Sequence, residues 1–233
     1  MDWGYSSKIT DGNDFVAIAA GAAHSVALKT NGSIVCWKNG NYADYGQSNA
    51  PDGNDYTAIS ADDCNSTALR SDGTITGWGR SGDIPFGDGF VRISAGDKHC
   101  TALKKDGSII CWITDYMKLN TPEGNDYIAV SSGFGYSLAL KSDGSIICWG
   151  DFYAEDLGNP PEGNDFVAIS AGKFHCLALK SYGSVMGWGD NFDGEAYSPE
   201  GHNFIAVEAG WGYSMALTSD GHVIVWGDPP FSF

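Results

Sequence analysis

Three histidines occupy equivalent places in an internally repeated pattern, and together they could bind a metal ion. His24, His99 and His175 each stand three residues before an Ala-Leu pair. Three imidazole groups form a ligand set that zinc accepts. The alternating copies of the pattern carry Asn65, Tyr136 and Tyr213 at this place. Because these residues hydrogen-bond well but are poor zinc ligands, we predict a structural hydrogen bond between neighbouring copies here, and no metal site.

Other segments resemble parts of known sites without completing them. Asp143-Gly144-Ser145 is similar to a fragment of a calcium loop, but it offers one carboxylate where such a loop needs several at alternate positions. Asp and Gly at this spacing are typical of a tight turn. The sequence contains no nucleophile elbow, paired-carboxylate signature, phosphate loop or His-Glu zinc motif. We therefore expect no catalytic residues, no cofactor and no enzymatic activity.

The elements that would position these residues repeat six times along the chain. Each copy opens with an aromatic residue, carries an Ala-Leu pair in its middle and closes with Trp. The copies span residues 15–37, 56–79, 90–112, 127–150, 166–189 and 204–227. A period of about 38 residues is typical of a solenoid or a propeller. The repeated Trp and Ala-Leu positions are predicted to pack the core.

One copy is interpreted as three short strands. In residues 127–150 the Asp143-Gly144 turn joins the last two strands as a hairpin. The strands are apolar at successive residues, as in Ile109-Ile110-Cys111, which indicates burial on both faces. Stacked propeller blades and a β-solenoid both provide such burial, but a tight hairpin and a long linker in every copy favour the propeller. We predict an all-β propeller of about six blades, closed into a ring, as one domain over residues 1–233.

The first fourteen residues resemble the end of an incomplete copy. Trp3-Gly4 matches Trp149-Gly150, and the linker ending of residues 9–14 matches that of residues 121–126. A ring needs its two ends to meet, since otherwise it leaves open sheet edges. We therefore expect residues 1–14 to take part in ring closure.

The six cysteines are expected to be reduced and buried. Cys36, Cys111 and Cys148 stand just before a closing Trp, at a place where other copies carry Gly or Val. A place that accepts Cys, Gly or Val is a packing position for small residues. Cys100 lies on the opposite face of the predicted hairpin from Cys111, so this pair is poorly placed for a disulfide. No Cys-x-x-Cys metal-ligand spacing occurs.

The net charge of the chain limits the classes of molecule that we expect it to bind. The chain has 29 acidic and 13 basic residues, for a net charge of −16. Nucleic acids and anionic membranes are bound through Lys and Arg, so neither is an expected partner, whereas a neutral or basic protein surface is. The sequence has no apolar run long enough for a transmembrane helix, and its start lacks the features of a signal peptide. We expect a cytoplasmic location, or an extracellular one if a leader has been removed.

The repeated pattern resembles the repeat of the regulator of chromosome condensation propellers. It is clearest in residues 93–112 and 169–189, which share Ile-Ser-Ala-Gly, the histidine, Ala-Leu-Lys and the closing Trp. The short copies are more similar to a bacterial branch that includes a propeller-type β-lactamase inhibitor protein. The resemblance implies a propeller and, for different members, exchange factors for small GTPases, enzyme inhibitors or protein-binding platforms. Chromatin-bound members use basic segments that this chain lacks, and no catalytic residue is carried over.

The turn between the first and second strands is the most variable part of each copy. The six turns read Ala22-Ala23, Asp63-Cys64, Asp97-Lys98, Phe134-Gly135, Lys173-Phe174 and Trp211-Gly212. In a propeller all six emerge on one face, so Phe134, Phe174 and Trp211 would lie on neighbouring blades, beside Asp62 and Asp63. Rigid aromatic side chains ringed by polar groups are the composition of binding hot spots.

We predict that these five residues form the binding site of a non-catalytic protein-interaction module. One alternative is a carbohydrate-binding propeller, in which Trp211 and linker tyrosines such as Tyr45 stack on sugars. A less favoured alternative is a propeller hydrolase or lyase. A further alternative for the aromatic side chains is that they fold back and cover the tops of the blades.

Overall fold

The structure is a computed structural model and describes residues 12–22, 24–38, 43–113, 120–150 and 157–228. Its described residues form six three-stranded sheets, each built from strands consecutive in the chain. We number these sheets as blades 1 to 6. The chain divides into two compact units, Met1–Asp106 with Ile110–Met117 and Gly107–Ile109 with Lys118–Phe233. They are called the N-terminal and C-terminal units; blades 1 to 3 lie almost wholly in the former and blades 4 to 6 in the latter.

The strand bounds agree with the six predicted copies. Blade 1 contains β1 (Phe15–Ala20), β2 (His24–Lys29) and β3 (Ile34–Lys38); blade 2 contains β4 (Tyr56–Asp62), β5 (Asn65–Arg70) and β6 (Ile75–Gly79); blade 3 contains β7 (Phe90–Ala95), β8 (His99–Lys104) and β9 (Ile109–Ile113). Blade 4 contains β10 (Tyr127–Ser132), β11 (Tyr136–Lys141) and β12 (Ile146–Gly150); blade 5 contains β13 (Phe166–Ala171), β14 (His175–Lys180) and β15 (Val185–Gly189); blade 6 contains β16 (Phe204–Ala209), β17 (Tyr213–Thr218) and β18 (Val223–Gly227).

These bounds confirm the all-β class and the six blades. The single domain over residues 1–233 and the ring closure stay predictions. The part of the incomplete copy at residues 1–11 lies outside the described residues, as does Ala23 in the first turn. None of the described residues forms a helix with the length and apolar character that crossing a bilayer requires.

The Asp-Gly-Ser segments are turns, as the sequence predicts. In blade 4 the Asp143 carboxylate accepts hydrogen bonds from the Ser145 backbone N–H at 2.9 Å and from its hydroxyl at 2.7 Å. Gly144 has a φ of +85°, and a Cβ there would collide with the backbone carbonyl of Asn164 in the next linker. Blade 5 keeps Gly183 at φ +86° although Tyr182 replaces the aspartate. Glycine is therefore the stricter requirement of the two.

Every first strand contains a bulge that the alternation of residues does not predict. In blade 4, Tyr127 is opposite Lys141 and Ala129 is opposite Leu140, so Ile128 is the additional residue. The same shift occurs in the other five blades. The bulge turns the additional residue outward, and Ile128 is accordingly 46% exposed.

The linker acids do more than form turns. In blade 5, Asp165 ends the linker and lies 3.3 Å from the Lys180 ammonium, which also lies 5.1 Å from the centroid of the Phe166 ring. Blades 1 and 4 repeat this arrangement with Lys29 and Lys141, and blade 2 uses Arg70. The final aspartate of each of these linkers thus ties the opening aromatic residue to the second strand. Partly exposed ion pairs of this kind stabilise a fold only slightly.

Packing between neighbouring blades forms the core of each unit. In the C-terminal unit, Leu140 and Ile146 of blade 4 pack in one cluster with Phe166 and Ala178 of blade 5. The closing tryptophans do not share one environment. Trp78 and Trp112 are buried, and Trp112 donates its indole N–H to the Ser81 carbonyl at 2.9 Å. Trp149 is half-buried, so the closing tryptophans, all predicted to pack the core, do so to different extents.

All six cysteines are free thiols. Cys100 and Cys176 are completely buried, and burial raises the pKa of both. Burial also raises the pKa of the half-buried Cys148 to about 11. A thiol is the unreactive form of cysteine, so these groups pack as small apolar side chains.

Candidate protein-binding surface

Residues at the histidine position of the repeat, which is Asn or Tyr in other blades, make the predicted hydrogen bonds between neighbouring blades. His175 Nε2 of blade 5 lies 2.8 Å from the Ser214 hydroxyl of blade 6, and His24 Nε2 pairs in the same way with Ser66. Tyr136 donates its hydroxyl to the Gly172 carbonyl at 2.8 Å, and Asn65 donates its amide to the Gly96 carbonyl at 2.9 Å. This set confirms the structural interpretation.

Burial holds these histidines neutral. It lowers the pKa of His175 to about 4, against an ordinary value of 6.5. His175 is 1% exposed and His24 is fully buried. Within the described ranges, no group of three or more His, Cys, Asp or Glu side chains is arranged to hold a metal ion.

Wherever the histidine position of the repeat carries His or Tyr, a glycine stands three residues before it. A Cβ on Gly172 would lie 2.5 Å from the Gly210 carbonyl oxygen and 2.8 Å from Cε1 of His175. Blade 2 differs at both positions: Asp62 stands in place of the glycine, and Asn65 stands in place of the histidine. Asparagine is shorter than histidine or tyrosine, so we infer that it leaves more room for a side chain at position 62. The departure of Asp62 from the pattern therefore has a packing reason.

Asp62 is the last residue of β4 and Asp63 the first residue of the turn that follows it in blade 2, and both are half-buried. The Asp62 carboxylate accepts a hydrogen bond from the Asp63 backbone N–H at 2.7 Å. Asp63 has a φ of +34°, the one described non-glycine residue with positive φ. Both residues belong to the N-terminal unit, and their predicted place beside the aromatic turn residues stays a prediction.

Three predicted site residues come together in the C-terminal unit. The rings of Phe134 and Phe174 meet edge to face with their centroids 5.4 Å apart. The Lys173 ammonium lies 5.1 Å from each of these centroids and 3.5 Å from that of Trp211. We call these four residues the aromatic turn cluster. Trp211 remains 67% exposed, whereas both Phe rings are half-buried.

Three hydrogen bonds place linker residues against these turns. The residue after a Trp-Gly pair donates its backbone N–H to the turn of the same blade in blades 2, 5 and 6. The pairs are Arg80 to Cys64 at 2.9 Å, Asp190 to Phe174 at 2.8 Å and Asp228 to Gly212 at 2.8 Å. Asp190 and Asp228 therefore lie at the border of the aromatic turn cluster.

A third carboxylate joins this border. Asp193 Oδ2 lies 3.7 Å from the point that a Cβ on Gly212 would occupy. Desolvation raises the pKa of Asp193, and repulsion from Asp228, Glu195 and Asp190 raises it further. The four carboxylates of Asp190, Asp193, Glu195 and Asp228 are thus close enough to repel one another, and they share one region of negative potential.

The N-terminal unit carries a different surface at its turns. Arg80 lies over the ring of Tyr45 at 4.5 Å, and Tyr45 is 52% exposed. The turn residues of this unit that the structure describes are Ala22, Asp63, Cys64, Asp97 and Lys98. None of them is aromatic.

Sequence reasoning missed Lys173, Arg80 and the three border aspartates as members of these surfaces. The signal that could have found Arg80, Asp190 and Asp228 is their position directly after Trp-Gly, which recurs in the blades, whereas no repeated pattern marks Asp193. For Lys173, the signal is its place beside Phe174 in a turn whose neighbours carry Phe134 and Trp211.

Four segments of the chain match the family described as the Regulator of chromosome condensation (RCC1) repeat: residues 15–42, 127–153, 166–195 and 204–231. They correspond to blades 1, 4, 5 and 6, and so confirm the predicted type of repeat. No curated protein matches the chain. The more specific similarity to the bacterial branch stays a prediction.

Solved structures show the same fold. The CRINKLY WD40 ectodomain of the Arabidopsis thaliana receptor kinase ACR4 has 22% identity and a TM-score of 0.76, and the match covers 91% of this chain and 79% of that one. Prp20p from Saccharomyces cerevisiae has 17% identity and a TM-score of 0.74, with 91% and 72% covered. Human WBSCR16 has 14% identity and a TM-score of 0.73, with 94% and 77% covered. These similarities confirm the β-propeller fold.

Proposed function

We propose that this propeller of RCC1 repeats is a non-catalytic protein-interaction module that binds its partner through the aromatic turn cluster. The observation that carries the proposal is the convergence of Phe134, Phe174 and Trp211 from three consecutive blades. The scaffold does not need aromatic residues there, because Ala22 fills the corresponding turn of blade 1.

The exposure of Trp211 supports a role in binding rather than in packing. Side chains that fold back to cover a blade become buried, but Trp211 is 67% exposed. The Lys173 ammonium, which also lies over both Phe rings, contacts the Trp211 ring at 3.5 Å and restricts its position before any partner arrives. A rigid aromatic residue with a supporting shell is typical of an interface hot spot.

The charge of the surface indicates a partner that is neutral or basic. The border of the cluster carries Asp190, Asp193 and Asp228, and the whole chain has a net charge of −16. Such a surface repels nucleic acid and attracts cationic groups. Among proteins of this fold, Prp20p binds Gsp1p and histones, and it has been seen bound by Kap60. These examples support a protein as the class of partner.

A carbohydrate is the second candidate ligand, and the exposed Trp211 ring favours it. Aromatic rings stack on sugars, but one side of this indole already lies against the Lys173 ammonium. A glycan array separates the two candidates. Strong binding of a sugar that is lost with Trp211→Ala would favour the lectin function over the protein-interaction module.

Capture of partners from native lysate followed by mass spectrometry tests the proposal. The triple variant Phe134→Ala, Phe174→Ala and Trp211→Ala should weaken the purified complex by several kcal/mol, since hot-spot residues each contribute about 2 kcal/mol or more. Unchanged circular dichroism would show that the variant keeps its fold.

A matched control comes from the other unit. Tyr45→Ala with Arg80→Ala removes an exposed aromatic–cation pair from the N-terminal unit and should leave the affinity unchanged. Full affinity of the triple variant would exclude the aromatic turn cluster as the site.

A further inference from the structure

The aromatic turn cluster already holds a cation of its own chain. Lys173 directs its ammonium at three aromatic rings, and the distance to Trp211 is 3.5 Å. The faces of aromatic rings carry negative potential, so they attract cations, and Trp does so most strongly. No carboxylate of the described residues forms an ion pair with Lys173. The rings, rather than an acid, therefore hold this ammonium.

The carboxylates next to the aromatic turn cluster have no cationic partner among the described residues. Asp190, Asp193 and Asp228 form no ion pair with any described residue. All three are exposed. Their mutual repulsion is relieved when a cationic group comes between them. The charge of this border is thus complementary to a positively charged ligand.

We propose that the cluster binds an arginine side chain from a basic segment of the partner protein, which rests on the proposed function of this surface. A guanidinium group is planar and stacks on the part of the Trp211 indole that Lys173 leaves exposed. Its N–H groups are then directed to carboxylates such as Asp190 and Asp193, which accept charge-assisted hydrogen bonds. Lys173 holds the indole in place before the arginine arrives.

A pair of short peptides tests the charge requirement directly. The first is acetyl-Gly-Arg-Gly-Arg-Gly-amide, and the second has citrulline in place of each arginine, which keeps the shape and removes the charge. Binding is followed through the indole N–H signal of Trp211 in two-dimensional NMR spectra, assigned with Trp211→Phe. The arginine peptide should bind at least about 10-fold more tightly than the citrulline peptide, given the strength of cation–π and charge-assisted contacts.

Variants locate the interaction on the protein. Trp211→Ala lacks the indole reporter, so its peptide binding is followed through the backbone amide signals of Lys173 and Gly212, which are also recorded for the unmodified protein. It should bind the arginine peptide about 10-fold more weakly. Replacing Asp190, Asp193 and Asp228 with Asn should weaken it by about 3- to 10-fold and reduce its dependence on salt. The matched control replaces Asp72, Asp106 and Asp143 with Asn. These residues lie in Asp-Gly-Ser or Asp-Gly-Thr hairpin turns between second and third strands, so the control changes the net charge equally but at the opposite ends of the strands. Asn31 occupies such a turn naturally, so these replacements keep the turn, and peptide affinity should stay unchanged.

Each contrary outcome overturns the proposal. Equal affinity for the two peptides, no shift of the Trp211 signal at millimolar peptide, or equal effects of the two aspartate triplets would exclude arginine recognition by the cluster. The proposed function is judged separately, by the triple alanine variant against the captured partner. A partner lost by that variant, together with peptides that do not bind, would keep the binding surface and reject its preference for arginine.

Discussion

The two units carry different side chains on equivalent turns, those between the first and second strands of each blade. In the C-terminal unit, Phe134, Phe174 and Trp211 surround the ammonium of Lys173. In the N-terminal unit, the corresponding turns carry small or polar residues, with Tyr45 and Arg80 as a separate stacked pair. The turn backbones are nevertheless bound alike, since Arg80 and Asp190 donate the same hydrogen bond to the turns of their own blades.

This comparison separates the scaffold from the recognition surface. The positions that pack blades together carry the same residue types in both units, although the closing tryptophans differ in burial, whereas the turn residues differ in type. Divergent residues on a conserved framework of hydrogen bonds are typical of binding loops. The predictions below test whether the two groups of residues are as independent as the structure indicates.

The largest effect is expected from a buried closing tryptophan. Trp112 is 5% exposed and donates its indole N–H to Ser81, so Trp112→Ala should lower the free energy of unfolding by about 3–5 kcal/mol. Trp226 in the C-terminal unit is half-buried, so Trp226→Ala should cost less because part of its surface is already exposed to water. Urea denaturation measures both. Equal losses would mean that burial does not distinguish the two scaffold positions.

The second prediction concerns pH. The pKa of His175 is lowered to about 4 in the folded protein, against 6.5 for an ordinary histidine. Between these values the unfolded chain binds a proton that the folded chain does not, so stability falls as the pH drops through this window. From pH 7 to pH 5, His175 alone should account for about 2 kcal/mol of this loss.

Blade 4 supplies the matched variant for this measurement. His175→Tyr places at this position the residue that blade 4 uses at Tyr136, and it removes the titrating group. Urea denaturation at the two pH values should show a loss about 2 kcal/mol smaller in the variant. The same loss in both proteins would contradict the neutral, buried state of His175.

The third prediction compares the glycine place in the two units. Gly172→Ala brings a Cβ to within 2.5 Å of the Gly210 carbonyl oxygen and should cost about 1–3 kcal/mol. Asp62→Ala at the same place in blade 2 introduces no clash and removes the hydrogen bond from the Asp63 N–H, so it should cost about 1 kcal/mol or less. Thermal unfolding compares them. A larger loss for Asp62→Ala would show that the packing reason given for Asp62 is wrong.

The smallest effect on stability is expected at the turns themselves. Trp211→Ala and Tyr45→Ala each remove an exposed ring, so each should change the free energy of unfolding by no more than about 0.5 kcal/mol. Chemical denaturation with both variants checks this. Destabilisation of more than about 1 kcal/mol by Trp211→Ala would assign the ring to packing instead of binding.

Local features of the sequence predicted most of the fold. The six copies, their three strands and their hairpin turns follow from short patterns such as Asp143-Gly144-Ser145, because a tight turn depends on a few neighbouring residues. The hydrogen-bonding role of His175 could also be predicted from the sequence. The equivalent residues in two other blades are Tyr136 and Asn65, and the property that they share with histidine is the ability to form hydrogen bonds. The bulge at Ile128 did not follow, because the register of a strand is decided by its pairing with the neighbouring strand. The partial burial of Trp149 did not follow either, because burial depends on packing in three dimensions.

For the surface, the sequence by itself determined which turns carry aromatic residues, Phe134, Phe174 and Trp211 among them. Only the tertiary structure decided that these rings meet around Lys173 with Asp190 and Asp228 at their border. The physical reason is that these side chains come from three blades and two linkers. Packing between blades sets the distances among them, and no pattern within one copy of the repeat specifies those distances.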